Sequence, residues 1–306
     1  MSEPQRKSLA LPDGDVSYLE WNEARGAPLL MFLHANGFNA LTYRTLLSPL
    51  ASDFRIIAPD QRVHGMTTLP TQPPARPRWA LYRDDLIRFV ERLGEKPAIL
   101  AGHSLGATVS LLATAKQPDL AQGLVLAEPV MQPARYAVSA MVLRKLGLAE
   151  RYLPRVGMTL KRRARFTSRD QAASGFRGRG IFKRWPDQVV TDYVEGGTIP
   201  DGDGFRLACD PAWEAEFYAT YRFRLAAEAS RVKVPVAILT GTEESATDPN
   251  VLANFLRRTP NATAKEIPGT SHFLPMEEPD IVRGAIRAMA SQILPGPAFS
   301  GSRAVE

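Results

Sequence analysis

The 306-residue chain has one cysteine, Cys209, and only four histidines. A lone thiol excludes an internal disulfide and any metal site built from several cysteines, and it fits a reducing compartment. There is no run of about 18 apolar residues, which excludes a membrane-spanning helix. The opening "MSEPQRKSLALPDG" has no uncharged apolar stretch of the kind a secretory signal needs, so a cytoplasmic location is expected. No internal repeat is evident, and the one low-complexity piece, the tail "PGPAFSGSRAVE", reads as frayed. What remains is ordinary soluble composition, 44% hydrophobic and 23% charged, enough to bury the core of one α/β domain carrying an insertion.

Short apolar runs at 16–21, 29–34, 55–59, 98–102, 124–127, 236–240 and 263–267 read as strands. Helix-length segments at 41–51, 79–93 and 107–117 separate them, and this alternation predicts a mostly parallel, eight-stranded sheet flanked by helices. The alternation breaks between about 131 and 229, where "YAVSAMVLRKLGL", "WPDQVVTDYV" and "PAWEAEFYATYRF" look helical and no buried strand is legible. The expected organisation is a core of residues 1–130 and 230–306, with a helical cap at 131–229.

Within "ILAGHSLGATVSLLAT", Ser104 stands between Gly102 and Gly106 where a buried strand turns into a helix. A chain reversing that sharply crowds its neighbours, so only small flanking residues fit, and the serine hydroxyl is thrust out beside a helix N-terminus. That is a nucleophile's position. A serine needs a base to take its proton, normally a histidine held by a carboxylate. His34 and His64 fall ahead of the nucleophile strand, and His103, adjacent to the serine, should point its side chain away from the site. His272 remains, in "IPGTSHFLPMEEPD" just past the last strand. The developing oxyanion needs donors already in place. Leu105 offers one backbone N–H, and Asn36, in the small-residue turn of "FLHANGFNA", offers another, with its side-chain amide as a possible addition.

Two glutamates compete for the acid. Glu244 lies in "LTGTEESATD", a cluster with no bulky or proline-rich frame to fix one carboxylate. Glu128 follows a fully apolar strand in "LVLAEPV" and is pinned by Pro129. Glu128 is the preferred reading and Glu244 the alternative. Ala35, Phe38, His103, Trp185, Trp213 and Phe273 are the candidate substrate-contacting residues, although cap aromatics such as Trp185 and Trp213 more often form a small core of their own. Between Arg135 and Arg184 there are 14 lysines and arginines against Glu150 and Asp170, so this stretch carries +12 in a chain whose total is +6. Such a field could draw acidic substrates or anionic surfaces, or simply be a solvated face. No recognised motif accompanies it, so no nucleic-acid partner is expected.

Taken together, "LHANGF", "APDQRVHG", "AGHSLGA" and "GTSHFLPMEEPD" resemble the α/β-hydrolase superfamily from roughly residue 8 to 294. The His-Ala-Asn-Gly-Phe form, with "DGFRLACDPAWEAEFY", is similar to a group of bacterial hydrolases. The resemblance implies the order nucleophile, acid, base along the chain. The acid commonly lies about three residues after the glycine ending the seventh strand, where Glu244 stands, and in some relatives after the sixth strand, where Glu128 stands. Two departures are visible: Val63 replaces the glycine of "RGHG", and "TEESATD" lacks a clear G-x-x-D aspartate. A serine nucleophile sets the chain apart from haloalkane dehalogenases and epoxide hydrolases. The resemblance therefore implies hydrolysis of a carboxylic ester or lactone with an apolar part, without metal or organic cofactor. C–C bond hydrolysis, perhydrolysis and acyl transfer use the same triad, and a non-catalytic ligand receptor is the reading from another class. Oligomeric state and physiological substrate are not legible.

Overall fold

The computed structural model describes residues 3–23, 26–70, 79–220, 228 and 231–295. Its main sheet has eight strands. In spatial order they are β1 (Gln5–Leu11), β2 (Gly14–Trp21), β4 (Arg55–Pro59), β3 (Leu29–Leu33), β5 (Ile99–His103), β6 (Gly123–Ala127), β10 (Val236–Gly241) and β11 (Ala262–Ile267). The β1–β2 and β2–β4 pairs are antiparallel, and the remaining pairs are parallel. Strands β3, β5 and β6 are buried along their whole length, as central parallel strands covered on both faces must be. Their side chains alternate between two cores. Leu30, Phe32, Ile99 and Ala101 face one, while Leu29, Met31, Leu33 and Leu100 face the other.

β1 is absent from the strands expected from the sequence. It is an edge strand, largely exposed and carrying Arg6 and Lys7, so it has no continuous apolar run to read. The helix expected at 41–51 is broken: a 3-10 turn over Ala40–Tyr43, a short α1 (Arg44–Leu47) and another 3-10 turn over Ser48–Leu50, where Pro49 interrupts the ladder. Helices α2 (Trp79–Leu93) and α3 (Leu105–Lys116) fall where the sequence predicts them.

The segment between β6 and β10 carries α4 (Ala134–Lys145), α5 (Ala149–Tyr152), α6 (Pro154–Leu160), α7 (Arg169–Phe176), α8 (Asp187–Gly197) and α9 (Pro211–Tyr218). It also holds a three-stranded antiparallel sheet in the order β7 (Arg165–Phe166), β9 (Gly204–Leu207), β8 (Thr198–Asp201), which corrects the purely helical expectation. Strands of two to four residues leave no apolar run, but the Asp201-Gly202-Asp203-Gly204 turn that joins β8 to β9 was a usable hairpin signal. The expected end of the insertion, at 229, and the tail beyond Pro295 lie outside the described residues. Three further helices close the chain: α10 (Pro249–Arg258), α11 (Leu274–Glu277) and α12 (Pro279–Ile293). Among the described residues no helix is long and apolar enough to cross a membrane.

Candidate active site

Three consecutive strand ends build the site. Ser104 follows β5 at φ +53, Glu128 follows β6 at φ +51, and the loop after β10 closes over Glu128. Non-glycine residues at positive φ are strained and persist only where surrounding contacts hold them. Here the ladder does so: Ser104 N–H donates to Ala127 O at 3.0 Å, and Glu128 N–H to Leu239 O at 2.8 Å. The two glycines flanking the serine are required by close approach. A Cβ on Gly102 would lie 2.6 Å from the Gly106 carbonyl carbon, and one on Gly106 would lie 2.2 Å from Leu33 O.

His272, on the loop between β11 and α11, bridges serine and glutamate. Its Nε2 is 3.0 Å from Ser104 Oγ, and its Nδ1 is 3.0 Å from Glu128 Oε2. With Nδ1 turned to a carboxylate, that nitrogen carries the proton and Nε2 is left to accept from the serine hydroxyl. Glu128 is fully buried and accepts hydrogen bonds at both carboxylate oxygens. Gly241 N–H (2.6 Å) and Ser245 Oγ (2.9 Å) reach Oε1, while Ala246 N–H (2.9 Å) and Ser245 Oγ (2.9 Å) reach Oε2. Glu244 is exposed, at φ +48, and is not bonded to His272. The preferred candidate, Glu128, is thus the carboxylate that meets His272, and the loop of the alternative forms its cradle: "TEESATD" supplies donors to Glu128, and its Asp248 caps α10.

The loop carrying Asn36 is fixed by histidines the sequence left unused. Gly37 N–H donates to His64 Nε2 at 2.9 Å, and Gln61 N–H donates to His34 Nε2 at 2.8 Å. The Nδ1 atoms of His64 and His34 face the carbonyls of Arg62 and Ala35. Each ring therefore donates once and accepts once, which requires neutral imidazole. Burial agrees, depressing His34 to about 4 and His64 to about 3. His103 is also fully buried, and burial holds it well below the usual histidine range. It receives a hydrogen bond from Tyr43 Oη at Nδ1 (2.8 Å) and donates from Nε2 to the carbonyl of His272 (2.7 Å), while Tyr43 Oη accepts from Ala35 N–H (3.0 Å). Leu105 is the first residue of α3, so its N–H has no acceptor within the helix and points from the helix N-terminus beside Ser104.

A cavity of about 430 Å³ opens over Ser104 and His272, and one of about 240 Å³ adjoins it at Asn36, Ser104, Arg155 and Tyr218. Of the candidate substrate-contacting residues, Ala35, Phe38 and Phe273 line the larger cavity, with Phe38 and Phe273 stacked at 6.2 Å. Three do not line either. His103 lies beneath the site, engaged on both nitrogens. Trp185 packs behind Phe38 at 5.3 Å, and Trp213 donates to Tyr82 Oη on α2 at 2.9 Å. Much of the wall comes instead from Met158, Arg162, Phe176, Ile181, Phe182 and Tyr218, residues whose side chains converge only after α6, α7 and α9 have packed. Among the described residues no cluster of three or more His, Cys, Asp or Glu could hold a metal ion.

Comparison with known proteins agrees with this architecture. The profile of the alpha/beta hydrolase family matches residues 30–285. The chain belongs to the α/β-hydrolase family. It is similar to the 2-(acetamidomethylene)succinate hydrolase of Mesorhizobium japonicum, 27% identical over 88% of this chain and 90% of that protein. It is also similar to the (E)-2-((N-methylformamido)methylene)succinate hydrolase of Acinetobacter baylyi, 21% identical over 92% of this chain and 97% of that one. Among solved structures, that of an E-2-(acetamidomethylene)succinate hydrolase superposes with a TM-score of 0.76 at 24% identity, covering 94% of this chain and 99% of the other.

Proposed function

We propose that this α/β hydrolase cleaves a carboxylic ester or lactone through an acyl-enzyme on Ser104. His272 takes the serine proton and passes it to the leaving oxygen, Glu128 holds the imidazole in the required tautomer, and the N–H groups of Asn36 and Leu105 receive the oxyanion. The segment 131–229 acts as a cap whose helices roof the pocket. The observation that carries this reading is the unbroken chain from Ser104 Oγ to His272 to Glu128, at 3.0 Å in each step, ending on a buried carboxylate that also accepts from Gly241 and Ala246 N–H.

A second reading keeps the machinery and changes the bond. The names of two relatives describe succinates bearing an N-acyl group, which favours an acylated nitrogen as the leaving atom. The same oxyanion donors and the same proton shuttle serve an amide.

The test is hydrolysis of a short-chain p-nitrophenyl ester by the purified chain, with Ser104→Ala alongside, and labelling by a fluorophosphonate. Turnover and a single label, both lost in Ser104→Ala, are expected. Labelling that survives the substitution would overturn the assignment. Release of amine from an N-acyl succinate, with the simple ester left untouched, would move the substrate to the second reading.

A further inference from the structure

The two cavities are lined by different parts of the catalytic machinery. Ser104 and Asn36 border both. His272 and Phe273 border only the larger, and Leu105 borders only the smaller. This asymmetry has chemical content, because the proton His272 takes from Ser104 must be handed to the atom that leaves. The leaving group therefore departs on the side where His272 is exposed, and the acyl group stays on the other.

The linings differ in kind as well. The smaller cavity is walled mainly by Trp79, Leu105, Val130, Phe217 and Ala246, with the neutral Gln132 and Tyr136, and among the described residues its one charged neighbour is Arg155 at the shared border. The larger cavity has Arg155, Arg162 and Arg179 on its wall against Glu214 and Glu244. Among the described residues neither Arg155 nor Arg179 has a carboxylate within 4.0 Å. Arg162 is engaged at one edge by Glu214, with Nη2 2.9 Å from Oε2 and Nη1 donating to Oε1 at 3.3 Å, and its buried Nε has no hydrogen-bond acceptor among the described residues. A buried guanidinium N–H left without an acceptor is costly unless a ligand supplies one, and the exposed Arg179, with no carboxylate of the described residues beside it, has its fork open to a ligand carboxylate.

Building on the acyl-hydrolase reading above, we propose that the two cavities divide the substrate. A short apolar acyl group enters the smaller, and a carboxylate-bearing leaving group enters the larger, against Arg162 and Arg179. In the first step Ser104 Oγ bonds to the carbonyl carbon and its proton passes to His272 Nε2. The bond from that carbon to the leaving oxygen then breaks, and this oxygen takes the proton and departs as an alcohol into the larger cavity. Water entering the vacated space gives a proton to His272 and its oxygen to the acyl carbon, and Ser104 recovers its proton as the acid is released.

Two isomeric esters read this directly: 4-(butanoyloxy)benzoate, with its carboxylate on the leaving side, and monophenyl glutarate, with its carboxylate on the acyl side. Neutral phenyl butanoate serves as the control. With each kcat/KM divided by the ester's own hydroxide rate constant, the benzoate should exceed the glutarate by at least about tenfold, the lower end of one charge-assisted hydrogen bond. Arg179→Gln should narrow that ratio, as should the paired Arg162→Gln, Glu214→Gln change, which leaves no lone buried charge. Val130→Phe should turn the acyl preference from butanoyl toward acetyl. A smaller ratio, or preference for the glutarate, in an enzyme that cleaves phenyl butanoate through Ser104 overturns the division while leaving the hydrolase reading intact. Absence of Ser104-dependent cleavage of all three esters overturns both.

Discussion

Ser245 Oγ lies 2.9 Å from each carboxylate oxygen of Glu128, so the loop that carries one candidate acid serves to hold the other. Backbone donors from Gly241 and Ala246 complete the cradle, and His272 Nδ1 takes the remaining direction. The carboxylate at the end of β6, and not one after β10, is therefore the one that meets the imidazole.

The first prediction ranks these groups. Glu128→Gln should lower kcat by about 10⁴, because the amide cannot hold the correct imidazole tautomer. Ser245→Ala should cost about tenfold, since two backbone donors persist. Glu244→Gln should stay within about threefold. Steady-state kinetics on one ester with the three folded variants decides the order, and a Glu244→Gln loss exceeding that of Glu128→Gln would reverse the assignment.

Gly106 tests the elbow. A methyl group there meets Leu33 O at 2.2 Å, which neither β3 nor α3 can relieve without moving Ser104. Gly106→Ala should cost at least about 2 kcal/mol of stability in urea unfolding, at the upper part of the range for overpacking. An unchanged midpoint would mean the contact is looser than the backbone geometry indicates.

Much of this site was legible because its chemistry sits on local sequence. Gly102, Ser104 and Gly106 announce the turn, and the scarcity of histidines leaves His272 nearly alone. The acid was harder, since Glu128 and Glu244 differ only in what surrounds them after folding, and Ser245 has no signature of its own. The wall was the least readable. Arg162 and Tyr218 reach the cavity from separate parts of the inserted segment, the bend after α6 and the end of α9, and the same tryptophans that looked like a pocket lining, Trp185 and Trp213, are taken up behind Phe38 and against Tyr82.

Three buried imidazoles should make stability fall on the acid side. His34, at about 4, and His64, at about 3, titrate below the unfolded value near 6.5, and His103 is depressed with them. As pH falls through about 6.5 the unfolded chain binds protons that the folded chain refuses, so stability present above that pH declines toward pH 4 and below. Urea midpoints at pH 7.5, 6 and 5 should fall progressively. A flat series would show that the rings are protonated in the folded state.

Val63 occupies φ +63, a conformation costly for a β-branched residue, where the resemblance to "RGHG" calls for glycine. Val63→Gly should raise stability by about 0.5–1 kcal/mol, the strain relieved less the extra freedom of glycine in the unfolded chain. Equilibrium unfolding measures it, and a loss of stability would mean that the valine side chain contributes more packing than its strain costs.

The hydroxyl of Tyr43 joins two parts of the machine that are 237 residues apart in sequence, Ala35 and the carbonyl of His272, through the ring of His103. Mechanically they form one frame. A ligand that wedges the Asn36 turn aside would pull on the base through that frame, so a poorly fitting substrate would be penalised in turnover even when it binds well. Fidelity would then reside in kcat, and a slow substrate would behave as a tight, unproductive passenger.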